Sequence, residues 1–212
     1  MRLLGGFAVA VLASLTAGCK TEISSNYRVP PPLVERLPIK VGVVYGDGLR
    51  HAHVENEPPV EIDFIILAGR ANVSLYDRLL SDIFFSAVPL ESRTQTPENG
   101  VKLDAILEAE LTRFTYAWDV YSGDTSVDMD YSYTLYAPGG PQLAQWTVTG
   151  YGYYSKGIGL YASLDNAIEI ALRDAAAKFL VAIYDDASIR RCFERFSPVS
   201  GTKWKLEQCF QG

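Results

Sequence analysis

Apolar and polar residues alternate over residues 39–45, which puts Ile39, Val41, Val43 and Tyr45 on one side of an extended chain. Gly46, Asp47 and Gly48 end that run as a turn, and the polar stretch 49–59 reads as a loop. Alternation returns over 60–67, with Val60, Ile62, Phe64 and Ile66 inward and Glu61 and Asp63 outward. The pattern predicts that these two strands pair across the loop. The period then changes. From residue 72 to 86, Val73, Tyr76, Leu80, Ile83, Phe84 and the following Ala87 fall at helical spacing, with Asp77, Arg78, Ser81 and Asp82 elsewhere. Asn72 or Ser74 can cap the start of this helix by accepting from free backbone amides, and Pro89 cannot continue it.

Residues 104–119 read as a long strand with a fault. Leu107, Ala109 and Leu111 share one parity, whereas Phe114, Tyr116 and Trp118 share the other. A strand with one buried face changes parity only by inserting a residue, so a bulge or bend is expected near Thr112 and Arg113. Residues 126–136 alternate cleanly, with Val127, Met129, Tyr131, Tyr133 and Leu135 on one side and Asp128 and Asp130 on the other. Pro138, Gly139, Gly140 and Pro141 make a hairpin loop, and 142–154 return with Trp146 and Val148 inward. Residues 163–184 carry the strongest helical stripe: Leu164, Ile168, Ala171, Leu172, Ala175, Phe179, Leu180 and Ile183. Ser163 is the expected cap. Glu169 with Arg173, and Asp174 with Lys178, are i, i+4 pairs on the other face. The many alanines suggest close approach to a sheet.

The order strand, strand, helix, three strands, helix predicts an α+β fold over 39–186. It is a two-layer sandwich: a mostly antiparallel five-stranded sheet with two amphipathic helices packed on one face. No internal repeat is visible.

The N-terminus has a different character. Arg2 precedes a mostly apolar run from Leu3 to Leu15, too short to span a bilayer comfortably and flanked like a cleaved signal. It ends in Leu15, Thr16, Ala17, Gly18 and Cys19. This ending resembles the lipobox of bacterial lipoproteins. The resemblance implies that 1–18 is a signal peptide, that Cys19 becomes the first residue, and that its sulfur and amine are acylated. Lys20 follows instead of the aspartate that commonly retains such proteins at the inner membrane, which implies the outer membrane, facing the periplasm. Residues 19–38 then form a lipidated, proline-rich tether; Pro30, Pro31 and Pro32 make it a semi-rigid extended spacer.

Composition narrows the rest. The chain has 212 residues, 48% hydrophobic, enough for one domain with a real core. Its formal charge of −6 argues against nucleic acid, which needs a basic face, and against electrostatic adhesion to anionic headgroups. With Cys19 taken by lipid, Cys192 and Cys209 remain in an irregular tail, 187–212. In an oxidising envelope this pair suggests a disulfide; two reduced cysteines are the alternative.

Candidate chemistry is sparse. His51, His53 and Glu55, with Asp47 nearby, could meet a metal, but two histidines with no third strong ligand make a weak site, and no metal is expected. Gly157, Gly159 and Ala162 match G-x-G-x-x-A before a helix. The dinucleotide fingerprint needs a parallel βαβ unit, absent from this reading, so the glycines are assigned to the turn from sheet to helix and no cofactor is expected. No nucleophile constellation is present, and Asp128 and Asp130 read as a solvated outer face. The protein is expected not to be an enzyme. The aromatic excess is more suggestive. Tyr151, Tyr153, Tyr154 and Tyr161, with Lys156 among them, form a candidate partner-binding stretch, because tyrosine joins a rigid apolar body to a polar tip; the alternative is that they finish a half-exposed sheet face.

Lipobox, proline tether and strand–strand–helix–meander–helix order together resemble envelope lipoproteins with a domain like the N-terminal domain of TolB. These include auxiliary lipoproteins of ABC-type and MCE-type transport systems and the lipopolysaccharide-assembly lipoprotein. The resemblance implies a membrane-anchored, non-enzymatic interaction subunit of an envelope transport or assembly complex. The alternative is a secreted binding domain for a small ligand, metal or glycan.

Overall fold

The computed structural model describes residues 21–23, 30–55, 64–98, 100–119, 121–155, 160–187 and 189–190. In chain order the elements are β1 (Thr21–Ile23), β2 (Leu37–Tyr45), α1 (Asp47–Arg50), β3 (His53–Glu55), β4 (Phe64–Leu67), α2 (Gly69–Ile83), β5 (Phe84–Leu90), β6 (Ala105–Trp118), β7 (Thr125–Tyr136), β8 (Gln142–Tyr154) and α3 (Leu160–Asp185). The fold is α+β, with one open five-stranded sheet in the order β5-β2-β6-β7-β8 and a separate three-stranded sheet in the order β1-β4-β3.

The large sheet is mixed rather than mostly antiparallel. β2 runs parallel to both β5 and β6, and only β6-β7 and β7-β8 are antiparallel. The expected pairing of residues 39–45 with 60–67 does not form. β2 takes β5 and β6 instead, and β4 pairs with β1 and β3. β5 itself was expected as the end of a helix. The helix ends at Ile83, and the chain continues extended through Pro89, which is tolerated because β5 is an edge strand. β2 reaches β5 by way of α2 on the inner face. β5 returns to β6 through a segment whose Leu103 packs with Val44, Leu90 and Ile106 on the outer face. Reversing both direction and face keeps the two crossovers in one hand.

The main core lies between the sheet and the two long helices. Ile39, Val41, Val43 and Tyr45 are buried there, as their alternation demands, with Leu107, Ala109 and Leu111 of β6 and Val127 to Leu135 of β7. The expected fault in β6 is present: the register with β7 slips between Leu111 and Arg113, leaving Thr112 as the extra residue. Phe114, Tyr116 and Trp118 thereby turn back to the core. At its centre Tyr76, Tyr131, Tyr133 and Phe179 meet edge-to-face, tilted and, for Tyr131 with Tyr133, stacked, with ring centroids 4.7–6.2 Å apart.

Their hydroxyls are satisfied internally. Tyr76 and Tyr133 share a hydrogen bond, and Tyr131 donates to Asn72 Oδ1 at 2.5 Å. Asn72 is therefore a buried partner within α2, and its Nδ2 donates to the Ala68 carbonyl, so it is not the expected cap. Ser163 likewise lies buried inside α3, which begins at Leu160. Burial holds the three phenols well above the ordinary tyrosine range, so they stay protonated.

Two boundaries shift. Thr21–Ile23, expected within the extended tether, pairs with β4, and Ile189, expected in the irregular tail, is buried in the core.

Candidate interaction surface

The last strand and the last helix define the surface. Gly150 and Gly152 face α3 so closely that a Cβ on either would collide with helix backbone, within 2.3 Å of the Ala171 carbonyl oxygen or 1.8 Å of that of Ala167. Ala167, Ala171 and Ala175 complete the contact, so the alanine-rich stripe does mark a close approach. With even positions turned inward, the odd ones, Gln145, Thr147, Thr149, Tyr151 and Tyr153, are exposed on the outer face. Tyr151 and Tyr153 are 48% and 47% exposed.

The backbone around the tyrosines is held in place. The Tyr151 N–H donates to Asp174 Oδ2 at 2.8 Å. Lys178 Nζ bridges Asp174 Oδ2 and the Thr149 carbonyl, each at 2.7 Å. These α3 side chains therefore occupy backbone groups on the edge of β8 that faces away from β7, which blunts one stretch of an edge strand. Tyr153 reaches Asp124 in the turn between β6 and β7. Hydrogen bonds from Ser155 first, then Ser122 and Tyr153, hold the Asp124 carboxyl below the ordinary range.

The outer face beside the tyrosines is charged and ordered. Asp128 lies opposite Tyr151, and Asp130 opposite Thr149. Asp130 accepts from Arg113 Nε at 2.6 Å and Thr149 Oγ1 at 2.7 Å. The Arg113 hydrogen bond, then that of Thr149, lowers its pKa. The bulge makes this pair: were Thr112 paired regularly with Asp130, Arg113 would point into the core. Glu169–Arg173 and Asp174–Lys178 also pair as expected from their spacing.

The proposed tyrosine stretch is thus divided. Tyr151 and Tyr153 are brought together, whereas Tyr154 turns inward and packs against the core. Cys19, Lys156, Gly157, Gly159, Cys192 and Cys209, and the Tyr161 side chain, lie outside the described residues. His51 Nδ1 is 3.9 Å from Asp47, and His53 Nδ1 is 2.9 Å from the His51 carbonyl oxygen. Among the described residues no cluster of three or more histidine, cysteine or acidic side chains is placed to hold a metal. The roles of Asp124, Asp174 and Lys178 were not legible beforehand. Helical spacing paired Asp174 with Lys178, but nothing local tells that the pair covers a strand edge.

No family model and no curated protein sequence match the chain. Solved structures do. A Xanthomonas campestris protein of the DUF330 family aligns at TM-score 0.50 and 14% identity, covering 79% of this chain and 98% of that one. A Helicobacter pylori protein described as a candidate neuraminyllactose-binding hemagglutinin homolog aligns at TM-score 0.51 and 9% identity, covering 81% and 97%. A candidate lipoprotein from Caulobacter crescentus aligns in part, at TM-score 0.31 and 16% identity over 41% of this chain and 68% of that one. At such identities the first two likenesses are of fold, and the third carries no argument. Among the described residues no helix is long and apolar enough to cross a membrane.

Proposed function

We propose that this protein is a lipid-anchored, non-enzymatic interaction subunit of a bacterial envelope complex for transport or assembly, held at the outer membrane and facing the periplasm. The lipobox-like Leu15 to Cys19 supports the anchor. The observation that carries the interaction role is the pair of half-exposed tyrosines, Tyr151 and Tyr153, on the outer sheet face beside Asp124 and Asp128. Tyrosine side chains, with only two rotatable χ angles, give contact area at low entropic cost, and the flanking carboxylates favour a partner that brings positive charge. The resemblance of the lipobox and element order to TolB-type and transport-auxiliary lipoproteins supports this reading, since it implies a domain at the membrane that recruits other proteins.

The test is recovery of partners from detergent-solubilised membranes with wild-type protein and with Tyr151→Ala/Tyr153→Ala. A central tyrosine costs about 2 kcal/mol or more on truncation, roughly 30-fold in affinity. Partner recovery should fall while thermal melting stays unchanged, because both rings lie outside the core. Unchanged recovery removes this surface. A tightly bound small ligand with no stoichiometric protein supports the binding-domain alternative.

A further inference from the structure

Thr21 stands two positions after Cys19 and is already part of the fold. Thr21, Glu22 and Ile23 pair in parallel with Phe64, Ile65 and Ile66 of β4. A residue extends at most about 3.3–3.6 Å, so the chain from Cys19 to Thr21 reaches about 7 Å at full stretch. The polar headgroup layer of one leaflet is about 5–8 Å thick. An acylated Cys19 therefore leaves β1 no room to stand clear of the lipid surface. The prolines that were expected to lift the domain come after β1 and cannot lengthen this leash. Their far end is also fastened: Arg36 donates to the carbonyls of Asp82 and Ser81 at 3.0 and 3.1 Å, and the Tyr184 hydroxyl donates to the Glu35 carbonyl at 2.6 Å.

The small sheet is fixed to the body of the domain. β4 runs directly into α2, where the Gly69 N–H donates to the Ala52 carbonyl at 3.1 Å. A Cβ on Gly69 would come within 2.1 Å of the Arg50 carbonyl oxygen, so α2 and the end of α1 are in direct backbone contact. Arg50 donates to the carbonyls of Tyr45 and Leu90 at 2.8 and 3.2 Å and pairs with Glu91 at 2.9 Å, which ties α1 to the ends of β2 and β5. A pull on Cys19 is transmitted through β1 and β4 to the large sheet.

We propose that the lipid surface is a fixed binding partner of this domain, which rests on the bilayer by the end that bears β1 and β3. The proposal rests on the lipoprotein reading. It sets the orientation of everything else. Tyr45 at the end of β2 is level with Ala109 and Tyr133, and the β7–β8 turn lies six residues beyond Tyr133 at Gly139, about 20 Å further from the membrane. Tyr151 lies opposite Asp128, on the other side of Tyr133 from that turn, and the β6–β7 turn between Trp118 and Thr125 lies further still on that side. The tyrosine pair then belongs to the membrane-proximal half, and its partner must be reachable there.

The experiment uses the mature protein purified from membranes and reconstituted in vesicles of phosphatidylethanolamine and phosphatidylglycerol doped with a photoreactive-headgroup lipid. Crosslinked residues are mapped by mass spectrometry, and acyl chains at Cys19 are measured in the same sample. The expected result is crosslinking at 21–23, 53–55 and the β6–β7 turn at 119–124, and none above background at 138–142. Insertion of about twelve Gly/Ser residues between Lys20 and Thr21, a coil reaching about 20 Å, should abolish that preference. Acylated protein crosslinked evenly or at 138–142, or a pattern unchanged by the insertion, overturns the orientation alone. Absence of acyl chains at Cys19 overturns the lipoprotein reading and the orientation with it.

Discussion

Gly152→Ala tests the packing that sets the whole outer face. A methyl group there would stand 1.8 Å from the Ala167 carbonyl oxygen, 2.7 Å from Ala171 N and 2.9 Å from the Ala167 carbonyl carbon. Optimal heavy-atom contacts are about 3.5–4.0 Å, so α3 would have to retreat by roughly 1.5 Å. The obstacle is helix backbone, which no rotamer change can move. That retreat loosens Leu164, Ile168, Leu172 and Phe179 in the same core. Overpacking a filled core costs about 1–3 kcal/mol, and a collision with backbone belongs at the upper end, about 3. For a domain of this size each kcal/mol moves the melting temperature by about 2–4 °C, so a fall of roughly 6–12 °C is expected. Thermal melting followed by circular dichroism reads it. Thr147→Ala, on the outward side of the same strand, is the control and should stay within about 0.5 kcal/mol of wild type. Ala167→Gly should not rescue the variant, because the clash is with its carbonyl oxygen and not its methyl. Melting of Gly152→Ala within about 2 °C of wild type would refute the close approach, and with it the outward orientation of Tyr151 and Tyr153.

Two further predictions concern buried and half-buried polar groups. Tyr76→Phe or Tyr133→Phe alone leaves one buried hydroxyl without its partner and should cost about 1–3 kcal/mol in urea denaturation, whereas the double variant should cost clearly less than the sum; strict additivity would show that the two hydroxyls do not depend on each other. Glu110 concerns pH. Burial raises its pKa above 4.5, outweighing the Gly48 N–H bond that lowers it, and Asp47 and Glu108 add to the rise. The folded chain thus holds this proton to higher pH than the unfolded one, so stability falls as pH rises from the unfolded to the folded value and stays lower above both. Glu110→Gln should therefore raise the melting temperature at pH 7 and leave it unchanged at pH 3; an equal change at both would contradict the assignment.

Sequence pattern revealed most where one face of an element is buried and contacts are local. The parity change between Leu111 and Phe114 called for a bulge or a bend, and the structure has a bulge, at Thr112. The stripe from Leu164 to Ile183 defined α3, and its alanines signalled the approach to Gly150 and Gly152. The parallel partners of β2 were hidden because β2-β5 and β2-β6 pairing depends on crossovers, which leave no mark at Ile39 to Tyr45. β5 was masked because Phe84 and Ala87 continue the helical spacing of Val73 to Ile83, although the chain straightens after Ile83. The interaction surface was half legible. Tyr151 and Tyr153 stood out by composition, but only the depth of Gly150 and Gly152 under α3 separates them from Tyr154. The docking of Thr21–Ile23 on β4 had no local sign either, since a three-residue strand next to a polar tether carries no period to read.

The central claim is a domain held at a membrane by lipid on Cys19. Intact-mass measurement of the protein purified in detergent from its native membranes tests it most directly. The account predicts a chain that begins at Cys19 and carries acyl mass on that residue, lost in Cys19→Ser, which should accumulate as uncleaved, unacylated precursor. A mature chain that begins elsewhere, or a Cys19→Ser variant that still runs at mature size with acyl chains attached, would contradict it.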